Sequence, residues 1–105
     1  MNKNDGIKLD DKKNRYDLLP YDALDEVVKV YTYGAKKYEV NNWRKGFRFG
    51  RIFAAMMRHL VAYWRGEDKD KESGLLHLAH AVWGCLTLIN FSKTHPENDD
   101  RIKEN

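Results

Sequence analysis

Imidazole and carboxylate side chains are concentrated in one stretch of the second half of the chain. His77 and His80 are three positions apart, so on a helix both imidazoles lie on one side, about one turn apart. His59 lies in the apolar stretch that precedes them. An acidic segment joins the two stretches and contains Glu67, Asp68, Asp70 and Glu72. An antiparallel helix pair would bring these groups toward one another, and imidazoles beside acids can exchange protons near neutral pH.

Each of these residues also has a purely structural interpretation. His59 lies on the helical face that carries Ile52 and Met56, where a single histidine is usually a hydrogen-bonded core residue. Asp70 is equally suited to capping the next helix. The remaining acids are consistent with a solvated charged segment, which is the preferred interpretation for Asp68. The histidine pair is the least easily explained by packing, because two buried imidazoles need partners or neutral states.

The middle third of the chain is basic and contains one tryptophan that could stack on a base. Its basic residues are Lys36, Lys37, Arg44, Lys45, Arg48, Arg51 and Arg58. Guanidinium and ammonium groups neutralise a polyphosphate, and Trp43, beside Asn41 and Asn42, offers an aromatic face. A solvated basic surface with Trp43 anchoring a loop fits the same residues equally well.

Composition limits the class of protein. The 105 residues are 42% hydrophobic and 33% charged, which is enough for one packed domain, residues 1–105. A net charge of +3 is too small to indicate a nucleic-acid-binding protein by itself. The single Cys85 excludes an intramolecular disulfide, and the polar start predicts no secretory signal. The uncharged stretch 73–92 contains histidines and a glycine, which favours a buried helix over a membrane span.

Apolar periodicity predicts an all-α fold with three main helices in a small antiparallel bundle. We expect helices over 21–38, 50–65 and 71–92, an irregular arm over 1–19 in which Leu18 and Leu19 are buried, and a frayed tail over 96–105. The third helix is apolar nearly all round and so must be covered on several sides. A chain of this size gains from association, which predicts a homodimer or homotetramer.

Several motifs in this order are similar to those of one family. They are LLPYDAL (18–24), VYTYGAKKY (30–38), NNWRKG (41–46), MRHLVAYWRGED (57–68) and DKESGLLHLAHA (70–81). The chain resembles the phage and bacterial dATP/dGTP diphosphohydrolase N-terminal domain family over about residues 8–91. Through that family it resembles the MazG-type nucleoside triphosphate pyrophosphohydrolases.

The resemblance implies an oligomeric all-α enzyme that uses Mg²⁺ or Mn²⁺ and cuts between the α and β phosphates. The resemblance would place RHLVA (58–62) and the His77/His80 pair where that group carries carboxylates, so that imidazoles stand in the place of carboxylates. Mg²⁺ prefers oxygen ligands, whereas manganese, cobalt, nickel and zinc accept imidazole more readily. Two arrangements remain open. Either Glu67, Asp70 and Glu72 hold the ion with histidines in or behind the coordination sphere, or the histidines contact phosphate and the ion arrives with the nucleotide.

The resemblance and the residues together suggest roles within one site. The expected catalytic residues are His59, Glu67, His77 and His80. The expected metal ligands are Glu67, Asp70, Glu72, His77 and His80, with Glu26 in reserve. The expected substrate contacts are Lys36, Tyr38, Asn42, Trp43, Arg44, Lys45 and Arg58.

The activity implied is hydrolysis of a purine deoxynucleoside triphosphate to the monophosphate and pyrophosphate, in a bacterial or phage-infected host cytoplasm. We expect a nucleoside triphosphate and further copies of the chain as partners, with neither a membrane nor nucleic acid. One alternative is a non-enzymatic helical module that binds nucleic acid or nucleotide. Another is an assembly or regulatory protein that has lost turnover.

Overall fold

The structure, a computed structural model, describes residues 6–103 and confirms the all-α fold class. Its three main helices are α1 (Tyr21–Lys37), α2 (Phe49–Trp64) and α3 (His77–Thr94). Short 3₁₀ turns occupy Tyr16–Leu18, Asn42–Lys45 and Pro96–Asn98. Within the described residues there is no β-strand beyond a single bridge between Lys69 and Leu76. No helix in the same range has the length and apolarity that a membrane crossing requires.

The ends of α1 and α2 agree with the predicted helices to within one residue. Pro20 directly precedes α1, where its fixed φ favours helix initiation. Gly66 follows α2 with φ of +99°, a conformation that glycine adopts without steric cost and that commonly ends a helix. The chain then turns back toward α2.

The predicted start of the third helix, Lys71, is wrong by six residues. The segment before His77 instead forms a tight hairpin, in which the Asp70 N–H donates to the Leu75 carbonyl over 2.8 Å. Gly74, with φ of +73°, makes the turn possible. Asp70 therefore does not cap α3. Its carboxylate caps the hairpin turn, because Oδ2 accepts a hydrogen bond from the Ser73 N–H at 2.9 Å.

Helices α2 and α3 pack antiparallel along their whole length. Near the hairpin the His59 and His77 rings are 5.1 Å apart, and at the far end Phe49 stacks on the fully buried Phe91. Between these ends lies Gly84, where an added Cβ would meet Met56 Cγ at 2.1 Å. A glycine at this position lets the two helices approach closely, which sets how His59 faces α3.

We expect Gly84→Ala to lower the free energy of unfolding by about 1–3 kcal/mol, because the new methyl overpacks the contact with Met56. Gly34→Ala is the matched control, since its Cβ would meet nothing within 4 Å in the last turn of α1. That change should stabilise the chain by up to ~1 kcal/mol through helix propensity. Urea unfolding of both variants measures the difference, and equal stability of the two would contradict the proposed close contact.

The loop between α1 and α2 is held by its aromatic side chains. Trp43 packs edge-on against Tyr31 of α1 and stacks on Phe91 of α3, with ring centroids 5.6 and 6.2 Å away. Near the start of α3, Val27 and Val30 of α1 pack against Ala79. Helix α1 and the Trp43 loop are therefore both held against α3.

The two ends of the chain differ from the sequence prediction. Leu18 and Leu19 were expected to be buried, but 70% and 46% of their surfaces are exposed, because the 6–19 arm contributes nothing to either core cluster. The tail was expected to fray from residue 96. Instead Asp100 accepts a hydrogen bond from the Gly50 N–H at 2.8 Å, which satisfies a free amide at the start of α2. Residues 1–5 and 104–105 lie outside the described part of the chain.

His95, just after α3, ties the Trp43 loop to the tail. Its Nε2–H donates to the Arg44 carbonyl at 2.7 Å, and Nδ1 lies 3.1 Å from Glu97 Oε1. The Arg44 carbonyl and then the Glu97 carboxylate raise the pKa of His95 above its ordinary value. A raised pKa means that protonated His95 stabilises the fold at pH below about 6.5, and that this contribution disappears as pH rises through the folded-state pKa.

We therefore expect the Tm difference between the parent chain and His95→Gln to be larger at about pH 5.5 than at about pH 8.5. Glutamine retains an N–H donor for the Arg44 carbonyl, so the variant removes mainly the protonation. Thermal unfolding followed by circular dichroism gives the four Tm values. A difference that grows with pH would contradict the assigned contacts.

Candidate active site

A cleft of about 870 Å³ opens between α1 and α2, with α3 as its floor. Its volume lies within the range of small-molecule sites. Ionisable side chains from three segments meet in it: His59 from α2, Asp70 and Glu72 from the hairpin, and His80 from α3. The other end of the cleft is formed by the Trp43 loop.

A hydrogen-bonded chain of three side chains runs from the hairpin to α2. Glu67 Oε1 lies 2.7 Å from Nε2 of His77, and Nδ1 of His77 lies 2.9 Å from Nδ1 of His59. An ionised carboxylate only accepts hydrogen bonds, so Nε2–H of His77 donates to Glu67. With Nδ1 of His77 as the acceptor, His59 donates from its own Nδ1, which leaves a lone pair on its Nε2. His77 itself is buried, with 4% of its surface exposed.

A second network fixes His80. The Ser73 hydroxyl lies 2.9 Å from Asp70 Oδ2 and 2.8 Å from His80 Nε2. Its single proton must go to the carboxylate, so Nε2–H of His80 donates to the hydroxyl oxygen. The His80 ring stacks in parallel on His59 with centroids 4.4 Å apart. The two networks thus meet where these two rings touch.

The environment sets the charges of these groups. Burial lowers the pKa of both His59 and His80 below the ordinary value, so both rings are neutral at neutral pH. The hydrogen bond with His77 lowers the pKa of the Glu67 carboxyl. Burial raises the pKa of Asp70, but the hydrogen bonds from Ser73 and the nearby imidazoles outweigh it and leave the net shift downward. The cluster therefore combines ionised carboxylates with neutral imidazoles.

Three of these residues bring potential metal-binding atoms together. One ring nitrogen each of His59 and His77 and one carboxylate oxygen of Asp70 lie within 4.8 Å of one another. Neutral imidazole nitrogen and carboxylate oxygen are the ligand types that divalent transition metals accept.

Most of the expected substrate contacts line the cleft. They are Tyr38, Asn42, Trp43 and Arg44 at the end formed by the Trp43 loop, and Arg58 on α2. The Arg44 guanidinium lies over the Trp43 ring, 4.5 Å from its centroid. Arg58 precedes His59 on α2, so it lies beside the histidine cluster. The cleft therefore presents an aromatic face at one end and a cation beside the acids and imidazoles at the other.

Several predicted site residues lie elsewhere. Lys36 and Lys45 do not line the cleft, and Lys45 forms an ion pair with Glu39. Glu67 and His77 do not line it either, and they reach it only through the contact of His77 with His59. Glu26 pairs with Lys29 on α1 at 2.9 Å, away from the histidines. Glu72 lines the cleft but pairs with Lys37 of α1, and Tyr33 also reaches it. Glu72 thus faces the basic wall and is not among the three residues whose ligand atoms converge.

Ser73 and Lys37 belong to this site but were not among the predicted residues. Ser73 connects Asp70 to His80, and no spacing rule indicates that contact because it depends on the hairpin. Lys37 lines the cleft and pairs with Glu72, 35 residues away in the sequence. The only sequence feature that pointed to Lys37 was its position in the basic middle third of the chain. The roles of all these residues in catalysis or binding remain predictions.

Comparison with known proteins agrees with the motifs. Residues 3–101 match the family described as "dATP/dGTP diphosphohydrolase, N-terminal". A "dATP/dGTP diphosphohydrolase" of Salmonella phage PMBT28 is 34% identical over 96 residues, which is 91% of this chain. The chain spans about a third of the length of that relative, 33%. Comparison with solved structures gave no significant match.

Proposed function

The chain belongs to the dATP/dGTP diphosphohydrolase N-terminal family, and we propose that it hydrolyses a purine deoxynucleoside triphosphate to the monophosphate and pyrophosphate. The observation that carries the proposal is the single cleft in which an aromatic and basic end faces a cluster of carboxylates and neutral imidazoles. The name of the phage relative supports the choice of dATP and dGTP as substrates.

At the end of the cleft formed by the Trp43 loop, the base would stack on the Trp43 ring in place of the Arg44 guanidinium, which lies over that ring in the structure. Trp43 is held by Tyr31 and Phe91, so its ring is positioned before the nucleotide arrives. A pre-positioned aromatic surface favours binding because little side-chain entropy is lost. Arg44, displaced from the Trp43 ring, would then neutralise phosphate charge beside the base.

The triphosphate would extend from this end toward His59 and Asp70. Arg58 lines the same wall of the cleft and is exposed, so its guanidinium can turn toward the phosphates. Lys37 is positioned across the cleft through its ion pair with Glu72. Cations on both walls would offset the negative charge that the acidic cluster would otherwise repel.

A divalent metal ion, Mg²⁺ or Mn²⁺, is part of this proposal as the expected cofactor. Ionised Asp70 and the imidazoles of His59 and His77 are donors that suit Mn²⁺ better than Mg²⁺, which prefers oxygen ligands. When bound, such an ion polarises phosphoryl oxygens and lowers the pKa of a water molecule. The chain's own contribution is to keep His80 neutral and oriented by Ser73 through Nε2–H, so that Nδ1 is the atom that can accept a proton from the water that attacks the α phosphorus.

The proposal also includes association of two copies. The side of α2 and α3 turned away from the cleft carries exposed apolar residues, here called the apolar face. They are Phe53, Met57, Leu60, Val61 and Trp64 on α2 and Leu78, Val82, Leu86 and Ile89 on α3. Their exposed fractions run from 37% to 86%, and large apolar side chains exposed together on one face are typical of an interaction site.

The hydrolysis is tested by incubating the purified chain with each common ribo- and deoxynucleoside triphosphate in Mg²⁺ and in Mn²⁺. Release of pyrophosphate and monophosphate from dATP or dGTP is the expected result. Release of inorganic phosphate alone would point to different chemistry. Nucleotide binding without any product in either metal would support the non-enzymatic alternative.

We expect Arg58→Glu to raise the KM for the preferred nucleotide by about 10-fold or more, because it replaces a cation by an anion beside the triphosphate. Arg65→Glu is the matched control, since Arg65 follows α2 and lines no part of this cleft. Initial rates over a range of nucleotide concentrations separate KM from kcat. Equal KM values for the two variants would contradict the placement of the phosphates.

A further inference from the structure

We propose that His59, Asp70 and His77 form a binding site for a first-row divalent transition-metal ion, in preference to Mg²⁺, and that Glu67 orients His77 from behind. The site lies among the residues to which we assign hydrolysis. The role of the bound ion in the reaction rests on the proposed function. The binding itself follows from the donor atoms and can be tested without a nucleotide.

The first argument is the separation of the donor atoms. The Nδ1 atoms of His59 and His77 are 2.9 Å apart. Two imidazole nitrogens at about 2.1 Å from one ion and at right angles to each other are about 3.0 Å apart. The separation of the two nitrogens therefore already matches that of two ligands of one ion, which would replace the proton that lies between them, and each ring would turn so that its lone pair points at the ion. His59 would carry its own proton on Nε2 in that state.

The second argument is the partner of the buried histidine. Nε2–H of His77 donates to Glu67 Oε1 at 2.7 Å, while Nδ1 points toward His59. Metal-ligating histidines almost always donate their other N–H in this way, often to a carboxylate, which fixes the ring and makes the ligating nitrogen more basic. Glu67, expected as a ligand from the sequence, is assigned here to orienting His77.

The third argument is the free oxygen of Asp70. Both hydrogen bonds from Ser73 go to Oδ2, at 2.9 Å each. Within residues 6–103 no hydrogen bond reaches Oδ1. The carboxylate is therefore held in place by one oxygen and keeps the other for a ligand. Its negative charge would partly neutralise the ion, and its Ser73 contacts remain compatible with binding.

The donor set decides the class of ion. Mg²⁺ takes oxygen ligands in near-ideal octahedral geometry and gives up water reluctantly, so two imidazoles suit it poorly. Manganese, cobalt, nickel and zinc accept imidazole together with carboxylate. The other predicted ligands are engaged elsewhere: His80 donates to Ser73 and stacks on His59, and Glu72 pairs with Lys37. Three protein ligands leave coordination positions for water or phosphate.

The test uses the full, untagged chain, stripped of metal with a chelator, and Co²⁺ as the probe. Visible d–d absorption reports Co²⁺ bound to protein ligands, and we expect saturable binding of one ion per chain. Mg²⁺ at about 100-fold excess should not displace it. His59→Gln and Asp70→Asn should each weaken Co²⁺ binding by about 10-fold or more, and Glu67→Gln by about 10–100-fold.

His95→Gln is the matched control, because His95 lies at the opposite end of α3 and contacts Arg44 and Glu97. It should bind Co²⁺ as the parent does. Circular dichroism verifies that each variant is folded, and His59, which is only half-buried, provides a ligand variant if changes at His77 prevent folding. Absence of Co²⁺ binding, displacement by equimolar Mg²⁺, or unchanged affinity in His59→Gln and Asp70→Asn would overturn the proposal.

The nucleotide assay separates this inference from the proposed hydrolysis. Co²⁺ binding that needs His59 and Asp70, without release of pyrophosphate from any nucleotide, would retain the metal site and reject the hydrolase. Hydrolysis in Mg²⁺ by a chain that binds no Co²⁺ would retain the hydrolase and reject the transition-metal site.

Discussion

Asp70→Asn should lower the rate of pyrophosphate release by about 100-fold or more while leaving the fold intact. Its carboxylate has a lowered pKa and is therefore ionised at neutral pH. Asparagine has the same shape, and its carbonyl oxygen can still accept the hydrogen bonds from the Ser73 N–H and hydroxyl. The substitution thus removes the charge and retains the turn. Initial rates at saturating dATP and dGTP, together with Tm, measure the two consequences separately.

The matched control is Asp68→Asn, the same chemical change two residues earlier in the acidic segment. The Asp68 side chain is exposed and lines no part of the cleft, and its backbone carbonyl accepts the His77 N–H at 2.8 Å in either variant. Asp68→Asn should retain nearly full activity. Comparable losses in both variants would indicate a general effect of acidic charge and would reject a specific role for Asp70.

The sequence was sufficient to predict α1, α2 and the antiparallel pairing that brings His59 toward His77. Those predictions depend on apolar periodicity and on helix-ending residues such as Gly66, which act over a few positions. The predicted start of α3 was wrong because Asp70 followed by Ser73 forms the same local pattern in a helix cap as in a hairpin turn. The outcome was decided by the Asp70–Leu75 backbone bond and the positive φ of Gly74, neither of which apolar periodicity reports.

The sequence predicted most of the residues that come together in the site, but not which of them contact each other. A short acidic link between two helices brings its carboxylates near the imidazoles in any antiparallel pairing. Which carboxylate contacts which ring depends on the hairpin. Glu67 contacts His77 directly, and Asp70 contacts His80 through the Ser73 hydroxyl. Lys37 and Glu72 meet only because α1 packs against α3, a contact that no local pattern specifies.

Ile89→Glu should convert the proposed dimer to a monomer at micromolar concentration. Ile89 lies on the apolar face of α3, on the opposite side of the helix from His80 and Phe91, and 62% of its surface is exposed. In a monomer glutamate would be solvated there at little cost. In a dimer its charge would be buried without a partner, which costs several kcal/mol and shifts the equilibrium toward the separate chains. Light scattering coupled to size-exclusion chromatography measures the molar mass.

Val28→Glu provides the matched control, because Val28 is exposed to a similar degree, 53%, but lies on α1 and outside the apolar face. That variant should keep the molar mass of the parent. A monomeric parent chain would reject the association, since the apolar face would then have no second copy to cover it. A dimer that persists in Ile89→Glu but dissociates in Val28→Glu would place the contact on α1. Because the apolar face and the cleft lie on opposite sides of the α2–α3 pair, the monomeric variant should still bind Co²⁺, which separates assembly from the metal site.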